Sequence, residues 1–212
     1  MSRPFLILIA AYLLGSIPFG YLLVRIFRGE DVRLSGSGNI GATNVSRKSP
    51  ALGAATLILD AAKGFAAVQF AAMYCKEPTR LQLMMAASAL FAIVGHMYPI
   101  WLKFHGGKGV ATAMGAFLRL SPMAVLVAVG IFILTVAISR RISLGSIVTA
   151  ALFPSTVWAL RISRDPVALA LIGIAALLII MRHYQNILRL LSHTEPRFSL
   201  RRKRDRHMET HP

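Results

Sequence analysis

The run PMAVLVAVGIFILTVAIS at residues 122–139 decides the fold class, because no charged side chain interrupts it. A helix of about 17–25 apolar residues is long enough to cross the hydrocarbon core of a bilayer. Five further runs resemble it, although Asp60 and Lys63 interrupt one of them. They cover residues 4–26, 51–74, 81–102, 144–161 and 167–191. We therefore predict an all-α integral membrane protein.

The composition of the chain supports the same prediction. Hydrophobic residues make up 56% of the 212 residues, and charged residues make up only 15%. The mean hydropathy is +0.62. A soluble domain carries about 25% charged residues, which it needs to cover its surface. This chain has too few, so we expect much of its surface to face lipid.

The charge balance indicates what the protein binds. The chain has 24 Lys and Arg but only 8 Asp and Glu, which gives a formal net charge of +16. In a membrane protein this excess favours anionic headgroups and phosphorylated substrates over nucleic acid. The single cysteine, Cys75, allows no intramolecular disulfide, and the spacing of Cys and His predicts no zinc cluster.

The number of membrane passages predicts the topology. The run 110–120 is too short to cross the membrane and follows a glycine-rich loop, so we expect a half-helix there. Together with the six long runs it predicts a compact seven-helix transmembrane bundle with its termini on opposite sides. An outside N-terminus and a cytoplasmic C-terminus place most lysines and arginines inside, as the positive-inside rule requires. Residues 1–195 then form one transmembrane domain, and residues 196–212 form a basic cytoplasmic tail that we expect to be disordered.

One candidate phosphate site is the loop SGSGNIGATNVSR at residues 35–47. It contains a formal GxGxxG pattern, but a dinucleotide site needs a preceding β-strand, which this sequence does not predict. Glycines nevertheless allow backbone N–H groups to approach an anion, and the loop leads into the N-terminus of the next helix. The alternative is an ordinary polar linker. The residues predicted to bind phosphate are Ser37, Gly38, Asn39, Gly41, Thr43, Asn44 and Arg47.

A second candidate is the loop KFHGGKG at residues 103–109. It is not a Walker A motif, because Leu102 replaces the first glycine and Gly109 replaces the Ser or Thr. The remaining pattern is a lysine on a glycine loop before a half-helix, which suits a phosphate group. We therefore predict that Gly106, Gly107 and Lys108 bind phosphate. For His96, which lies near a helix end just before this loop, we favour a structural, hydrogen-bonded role over a role in the site.

The third group of polar residues lies at the expected cytoplasmic ends of the last two runs, in residues 139–146 and 182–189. His183, Asn186 and Arg189 have the spacing of one helix stripe. Arginines at a helix end commonly extend to the headgroups, which also explains Arg182, but the shorter His183 and Asn186 side chains favour a site. Asp60 and Lys63, one turn apart, are expected to form a structural ion pair.

These residues closely resemble the motifs of the bacterial membrane glycerol-3-phosphate acyltransferases that use acyl phosphate, the PlsY type. The resemblance covers SGSGNIGATNVSR (35–47), GHMYPIWLKFHGGKGVAT (95–112) and RHYQNILRL (182–190), which is followed by Thr194 and Glu195. It implies a seven-helix enzyme of the bacterial inner membrane with a cytoplasmic active site. Because the chain has only eight acidic residues and they are not clustered, we expect no metal or other cofactor. The implied catalytic residues are His183, Asn186, Lys108 and Ser143, and Ser146 joins the phosphate-binding residues.

The resemblance also implies the reaction. An acyl phosphate would acylate the 1-hydroxyl of sn-glycerol 3-phosphate and give lysophosphatidic acid and phosphate, in the first acylation step of phospholipid synthesis. An acyl-phosphate-forming enzyme is a possible upstream partner. The His-x-x-x-x-Asp pattern of thioester-dependent acyltransferases is absent, because none of the histidines has Asp five positions later. We expect the donor's own phosphate oxygen to accept the hydroxyl proton, with His183 hydrogen-bonded to substrate.

Other function classes remain alternatives at this stage. A transporter for an anionic solute would fit the buried Asp60 and Lys63, but the charges cluster at one membrane face and no internal repeat is visible. A lipid-binding membrane anchor would explain the basic tail but not the glycine-rich loops. The CDP-alcohol phosphotransferases need clustered aspartates, which this sequence lacks.

Overall fold

The structure, a computed structural model, describes residues 3–197, and every regular element within that range is helical. Short 3₁₀ turns at Val32–Leu34 and Ile100–Leu102 precede the two glycine-rich loops. The predicted tail, residues 196–212, lies outside the described residues from position 198 onward. The α-helices of residues 3–197 are α1 (Arg3–Ser16), α2 (Phe19–Arg28), α3 (Ala42–Lys48), α4 (Pro50–Tyr74), α5 (Pro78–Met97), α6 (Val110–Leu120), α7 (Pro122–Ser139), α8 (Ile142–Ala159), α9 (Pro166–Arg182) and α10 (Tyr184–Leu191).

Five helical segments within the described residues are long and apolar enough to cross a membrane. α1 and α2 together form the first of them, and α4, α5, α7 and α8 form the others. The bent pair α9 and α10 adds a sixth, and α6 is a shorter apolar helix. The all-helical membrane fold is therefore confirmed, whereas the seven-helix count and the orientation stay predictions.

The structure differs from the sequence prediction in three places: the run 4–26 is divided into α1 and α2, residues 42–47 of the predicted first loop lie in α3, and the last run is bent. The run 167–191 was expected to be one continuous helix, but α9 and α10 meet at an angle of 58°. The break falls at His183, whose backbone N–H donates to the Ile180 carbonyl in a tightened last turn of α9. His183 therefore lies at the corner between two helices, and the predicted stripe of His183, Asn186 and Arg189 is wrong as a stripe on one straight helix.

Proline and short polar residues fix where the helices begin. α4, α5, α7 and α9 each carry a proline in the first turn, where its missing N–H costs no hydrogen bond. Asp165 caps α9 by accepting from the Val167 N–H at 2.9 Å. Ser49 caps α4 by accepting from the Leu52 N–H at 3.4 Å. These signals are local, so the sequence predicts the helix starts well.

Small residues allow α6 to pack closely against α4. A Cβ on Gly115 would lie 1.8 Å from the Ala61 carbonyl oxygen, and one on Gly64 would lie 2.1 Å from the Thr112 carbonyl oxygen. Close approach through small residues is typical of helix packing in membranes, where lipid gives no hydrophobic drive. Because α4 holds α6 in this way, the N-terminus of α6 has a fixed position behind the second glycine-rich loop.

A buried ion pair lies near the same loop. Lys63 Nζ is 2.8 Å from Asp60 Oδ1 and donates to the Ile17 carbonyl oxygen at 2.6 Å, which confirms the predicted pair. His96 Nδ1 lies 3.6 Å from the same carboxylate oxygen. All three side chains are buried. Pairing and hydrogen bonding offset the cost of removing these charges from water.

Candidate active site

The first glycine-rich loop is held together by one buried side chain, that of Asn44 in α3. Its Nδ2 donates to the backbone carbonyl oxygens of Val32 at 3.2 Å, Ser35 at 3.0 Å and Asn39 at 2.9 Å. Its Oδ1 accepts from the Ser37 N–H at 3.0 Å. These bonds use the donors of Asn44 inside the loop. The predicted phosphate contact of Asn44 is therefore corrected to a structural role.

Gly41 has a similar internal role. Its N–H donates to the Asn39 side-chain oxygen at 2.8 Å, so this amide is also not free to bind phosphate. Gly36 and Gly38 adopt positive φ angles of 60° and 68°, which allow the loop to turn between the 3₁₀ turn and α3. The loop thus keeps its shape largely through its own residues.

The second glycine-rich loop folds back against the end of α5. The Gly106 N–H donates to the Met97 carbonyl at 3.1 Å, and the Gly107 N–H donates to the His96 carbonyl at 3.0 Å. The prediction that these two amides bind phosphate is corrected, because both already have acceptors. Their carbonyl oxygens accept from Arg182, whose Nη2 lies 3.0 Å from Gly106 O and whose Nε lies 3.2 Å from Gly107 O.

A polar network joins this loop to the end of the described chain. Lys108 Nζ donates to Asn186 Oδ1, and Asn186 Nδ2 donates to Glu195 Oε1 at 2.7 Å. The Ser143 hydroxyl donates to the same Glu195 oxygen at 2.5 Å. Arg189 Nε donates to Glu195 Oε2 at 2.7 Å. Glu195 therefore links α8 to α10, and through Asn186 it is connected to Lys108.

A polar cavity of about 640 Å³ lies between the two loops and α10. The structure brings six of the predicted site residues together on its wall, although they come from three distant parts of the sequence. Three arginines, Arg33, Arg182 and Arg189, also line it, although Arg33 is paired with Asp31 on the same wall and Arg189 is paired with Glu195. The six are Ser37, Gly38, Asn39, Gly106, Lys108 and Asn186.

An apolar cavity of about 450 Å³ lies between α3, α4, α6, α7, α8 and α9. Thr43 and Ser146, which were predicted to bind phosphate, line this second cavity instead. Lys108 and Val110, on either side of Gly109, line one cavity each. The N-terminus of α6 therefore separates a cationic space from an apolar one.

Arg47 and His183 are not among the residues that line the polar cavity. Arg47 is exposed on α3, near Gly36 of the first loop. His183 is buried, and its Nδ1 lies 2.8 Å from the Ile179 carbonyl oxygen. In the neutral ring Nδ1–H donates this bond, which leaves Nε2 as an acceptor. The roles predicted for both residues stay predictions.

The environment of the network perturbs its ionisable groups. The pKa of Lys108 is lowered to about 8, mainly by burial; the charge of Glu195 opposes this shift, and the positive charges of Arg189, Arg47 and Arg182 add to it. Burial acts to raise the pKa of Glu195, but hydrogen bonds from Ser143, Asn186 and Arg189 keep that pKa below its usual value. The site therefore holds Glu195 ionised and Lys108 close to its titration midpoint at mildly alkaline pH.

Several residues of this site were not selected by the sequence prediction. Arg182 and Arg189 were explained by extension to headgroups, and Arg33 was not considered for a site. Glu195 entered only through the family motif. A carboxylate in such a basic, apolar chain is itself a signal, because buried charges in membrane proteins need partners. No group of three or more His, Cys, Asp or Glu side chains with metal-binding geometry occurs within residues 3–197.

Comparison with known proteins identifies the family. A family model for glycerol-3-phosphate acyltransferases matches residues 5–193. The chain belongs to the glycerol-3-phosphate acyltransferase family. A relative of that name from Syntrophotalea carbinolica is 47% identical over 199 residues, which cover 93% of this chain and 99% of the relative. Another from Desulfotalea psychrophila is 42% identical over 192 residues, with 90% and 96% coverage.

Two solved structures agree with this assignment. Crystal structures of PlsY (YgiH), an integral membrane glycerol 3-phosphate acyltransferase, cover 93% of this chain and 96% of their own. The glycerol 3-phosphate form has a TM-score of 0.86 at 34% identity. The lysophosphatidic acid form has a TM-score of 0.83 at 32% identity. The resemblance inferred from the sequence motifs is thereby confirmed: the chain is a PlsY-type membrane acyltransferase.

Proposed function

We propose that this protein transfers the acyl group of an acyl phosphate to the 1-hydroxyl of sn-glycerol 3-phosphate. The products would be lysophosphatidic acid and inorganic phosphate. The observation that carries the proposal is a pair of cavities, one cationic and one apolar, whose linings include Lys108 and Val110 on either side of Gly109 at the N-terminus of α6. An acyl phosphate has one anionic end and one long apolar end, so it suits a site with both kinds of wall.

The polar cavity suits two phosphate groups. Lys108 and Arg182 supply positive charge, and Arg33 and Arg189 add guanidinium groups whose charges are partly balanced by Asp31 and Glu195. Ser37 and Asn39 of the first loop present polar side chains to the same space. We assign glycerol 3-phosphate and the donor's phosphate to this cavity and the donor's acyl chain to the apolar cavity. Thr43 and Ser146 then line the space assigned to the acyl chain rather than a phosphate site.

The proposed reaction needs no covalent enzyme intermediate. The 1-hydroxyl oxygen attacks the acyl carbon, a new C–O ester bond forms, and the bond from the acyl carbon to the phosphate oxygen breaks. The hydroxyl proton goes to an oxygen of the donor's phosphate, and inorganic phosphate leaves. Because the donor is activated, positioning and charge neutralisation by Lys108 and the arginines supply the main catalytic effect. Ser143 is not placed at the reacting atoms, because its hydroxyl donates to Glu195.

A donor comparison tests the proposal. Purified protein is assayed for phosphate release with an acyl phosphate, with and without glycerol 3-phosphate, and separately with acyl-CoA as donor. We expect release that depends on glycerol 3-phosphate, no turnover with acyl-CoA and full activity in excess chelator. Lys108→Ala is the inactive control. Turnover with acyl-CoA but not acyl phosphate would overturn the proposed donor, and restoration by magnesium after chelation would overturn the metal-free mechanism.

We also propose the topology of a seven-helix protein of the bacterial inner membrane, with its N-terminus outside and the polar cavity open to the cytoplasm. This orientation places the arginine-rich ends of the helices inside. Cysteine labelling tests it in a Cys75→Ser background. Arg140→Cys should react only when the cytoplasmic side is accessible, and Arg164→Cys should react in intact cells. The reverse pattern would overturn the orientation.

A further inference from the structure

The side chain of Arg182 crosses from the end of α9 to the second glycine-rich loop. Its guanidinium donates through two nitrogens to two consecutive carbonyl oxygens, those of Gly106 and Gly107. The same group lies over the ring of Tyr98, 5.2 Å from the ring centroid. An arginine that only extended to headgroups would make neither contact. The Arg182 side chain is therefore bound to the loop rather than extended to the headgroups.

The two consecutive glycines explain why this loop needs a contact from outside. Its glycines are required by close approach, because a Cβ on Gly106 would lie 2.1 Å from the His96 carbonyl oxygen and one on Gly107 would lie 2.0 Å from His96 Nε2. Two consecutive glycines also have the greatest backbone freedom to lose on ordering. Their N–H groups are held by the end of α5, and Arg182 holds their carbonyl groups from the opposite direction.

The next residue in the chain is Lys108. Its ammonium group donates to Asn186, which is one helical turn beyond Arg182 across the bend at His183. The corner between α9 and α10 thus contacts the loop twice, through Arg182 at residues 106 and 107 and through Asn186 at residue 108. A shift of the first contact would move the backbone from which the Lys108 side chain extends.

We propose that Arg182 is a positioning residue for glycerol 3-phosphate acylation, which holds the Gly106–Gly107 segment so that Lys108 faces the reacting phosphate. The proposal rests on the active site proposed above. The two carbonyl groups need two donors in one rigid plane, a geometry that guanidinium has and ammonium lacks. A residue that acted only by its positive charge would not have this requirement.

Substitutions that separate geometry from charge test the proposal. Arg182→Lys keeps the charge, and Arg182→Gln removes it. We expect kcat to fall about 10- to 100-fold in both variants, because small displacements of catalytic groups are costly, with less than about a threefold rise in the KM for glycerol 3-phosphate. The matched controls are Arg140→Lys and Arg140→Gln at an exposed arginine on the α7–α8 turn, where we expect near-normal kcat. Near-normal kcat in Arg182→Lys would overturn the proposal, because charge alone would then suffice.

A second measurement needs no activity. Hydrogen exchange of the peptide covering residues 104–112 reports whether the Gly106 and Gly107 amides stay bonded to α5. We expect roughly tenfold faster exchange in Arg182→Lys than in the parent protein, with exchange of the α4 amides unchanged. Tyr98→Leu, which removes the ring beneath the guanidinium, should give a smaller change in the same direction. Unchanged loop exchange in both variants would overturn the positioning role.

The two measurements distinguish this proposal from the proposed function. If the parent protein fails to acylate glycerol 3-phosphate from an acyl phosphate, the proposed donor fails, whatever the loop exchange shows. If the parent protein is active and Arg182→Lys is normal in both kcat and loop exchange, the role of Arg182 fails while the function stands. A large rise in KM with normal kcat would instead identify Arg182 as a direct phosphate ligand and would also overturn the proposal.

Discussion

The two glycine-rich loops have similar compositions but are held in place in different ways. The first loop is fixed from within, because one side chain, Asn44, binds three of its backbone groups and the Val32 carbonyl of the preceding turn. The second loop is fixed from outside, by the end of α5 and by Arg182 and Asn186 on another pair of helices. The first loop therefore keeps its shape by itself. The position of the second loop, and of Lys108 in it, depends on how distant helices pack.

We expect the largest effect on activity from a substitution of Lys108, the lysine of the second loop. Lys108→Ala removes the ammonium group from the polar cavity and should reduce kcat about 10²–10³-fold, as the loss of a preorganised charged donor does. The melting temperature should change little, because Lys108 is only partly buried. Steady-state kinetics with acyl phosphate and glycerol 3-phosphate measures the loss. Retention of more than about a tenth of the activity would place the chemistry elsewhere.

The self-contained loop should respond mainly in stability. Asn44→Ala removes four hydrogen bonds and leaves one buried and two part-buried carbonyl groups without these donors, so we expect a loss of about 2–4 kcal/mol in unfolding free energy. Thermal unfolding in detergent measures it. The matched control is Ser46→Ala at an exposed α3 residue whose hydroxyl bonds only to the Thr43 carbonyl in the same helix. An Asn44→Ala protein with unchanged stability would mean that the first loop is not fixed from within.

The pH dependence of activity sharpens the contrast, because it reports on the second loop alone. The pKa of Lys108 is lowered to about 8, mainly by burial. The ammonium form is present below that pH and is lost above it, so kcat should fall as the pH rises through about 8. Lys108→Arg keeps its charge at that pH, so any activity it retains should not show this alkaline decline. The same decline in Lys108→Arg would assign it to another group.

The sequence predicted what depends on local pattern. The bounds of α6 and α7 agree with the apolar runs, and the Asp60–Lys63 pair follows from helical spacing. The sequence also selected Lys108 and Asn186, which the structure places in direct contact. It did not predict the bend at His183, because no proline or glycine marks it.

The sequence also could not predict which groups accept hydrogen bonds from the N–H groups of the second loop. Gly106 and Gly107 were expected to turn their N–H groups toward phosphate, but the end of α5 accepts from both. Arg182 was explained as an arginine that extends to headgroups. Both outcomes depend on which distant element packs against the loop, and the local sequence pattern does not predict that packing. Asn44 differs, because its partners lie within twelve residues and a search for local side-chain to backbone bonds would have suggested them.

A smaller effect is expected at Arg47, on the outer side of the first loop. This exposed guanidinium does not line the polar cavity, but its charge reaches Lys108. Arg47→Ala should therefore cost about 1–2 kcal/mol in transition-state stabilisation, less than Lys108→Ala, because solvent screens an exposed charge. If Arg47 donates two hydrogen bonds to a phosphate through two guanidinium nitrogens, Arg47→Lys should restore little of the activity. Full activity in Arg47→Ala would remove it from the site.

We expect the smallest effect on activity at His183, which lies at the bend between α9 and α10. Arg182 and Asn186, the two residues of these helices that contact the second loop, lie on either side of this bend. Its Nδ1–H donates to the Ile179 carbonyl, so Nε2 is an acceptor in the neutral ring. Asparagine offers both a donor and an acceptor of similar reach, so His183→Asn should keep at least about a tenth of the parent kcat. His183→Ala offers neither and should lose more.

The reason for expecting a small effect is the proposed route of the proton. If the donor's phosphate oxygen accepts it, His183 only orients the attacking hydroxyl, and no enzyme base disappears in the variant. The decline of kcat toward acidic pH should then coincide in the parent protein and His183→Asn, because it belongs to the substrate phosphate. A His183→Asn protein that binds glycerol 3-phosphate normally yet shows no turnover would make the histidine the general base. In that case the corner at His183 would supply the base as well as the two contacts to the second loop, and the first loop would serve binding alone.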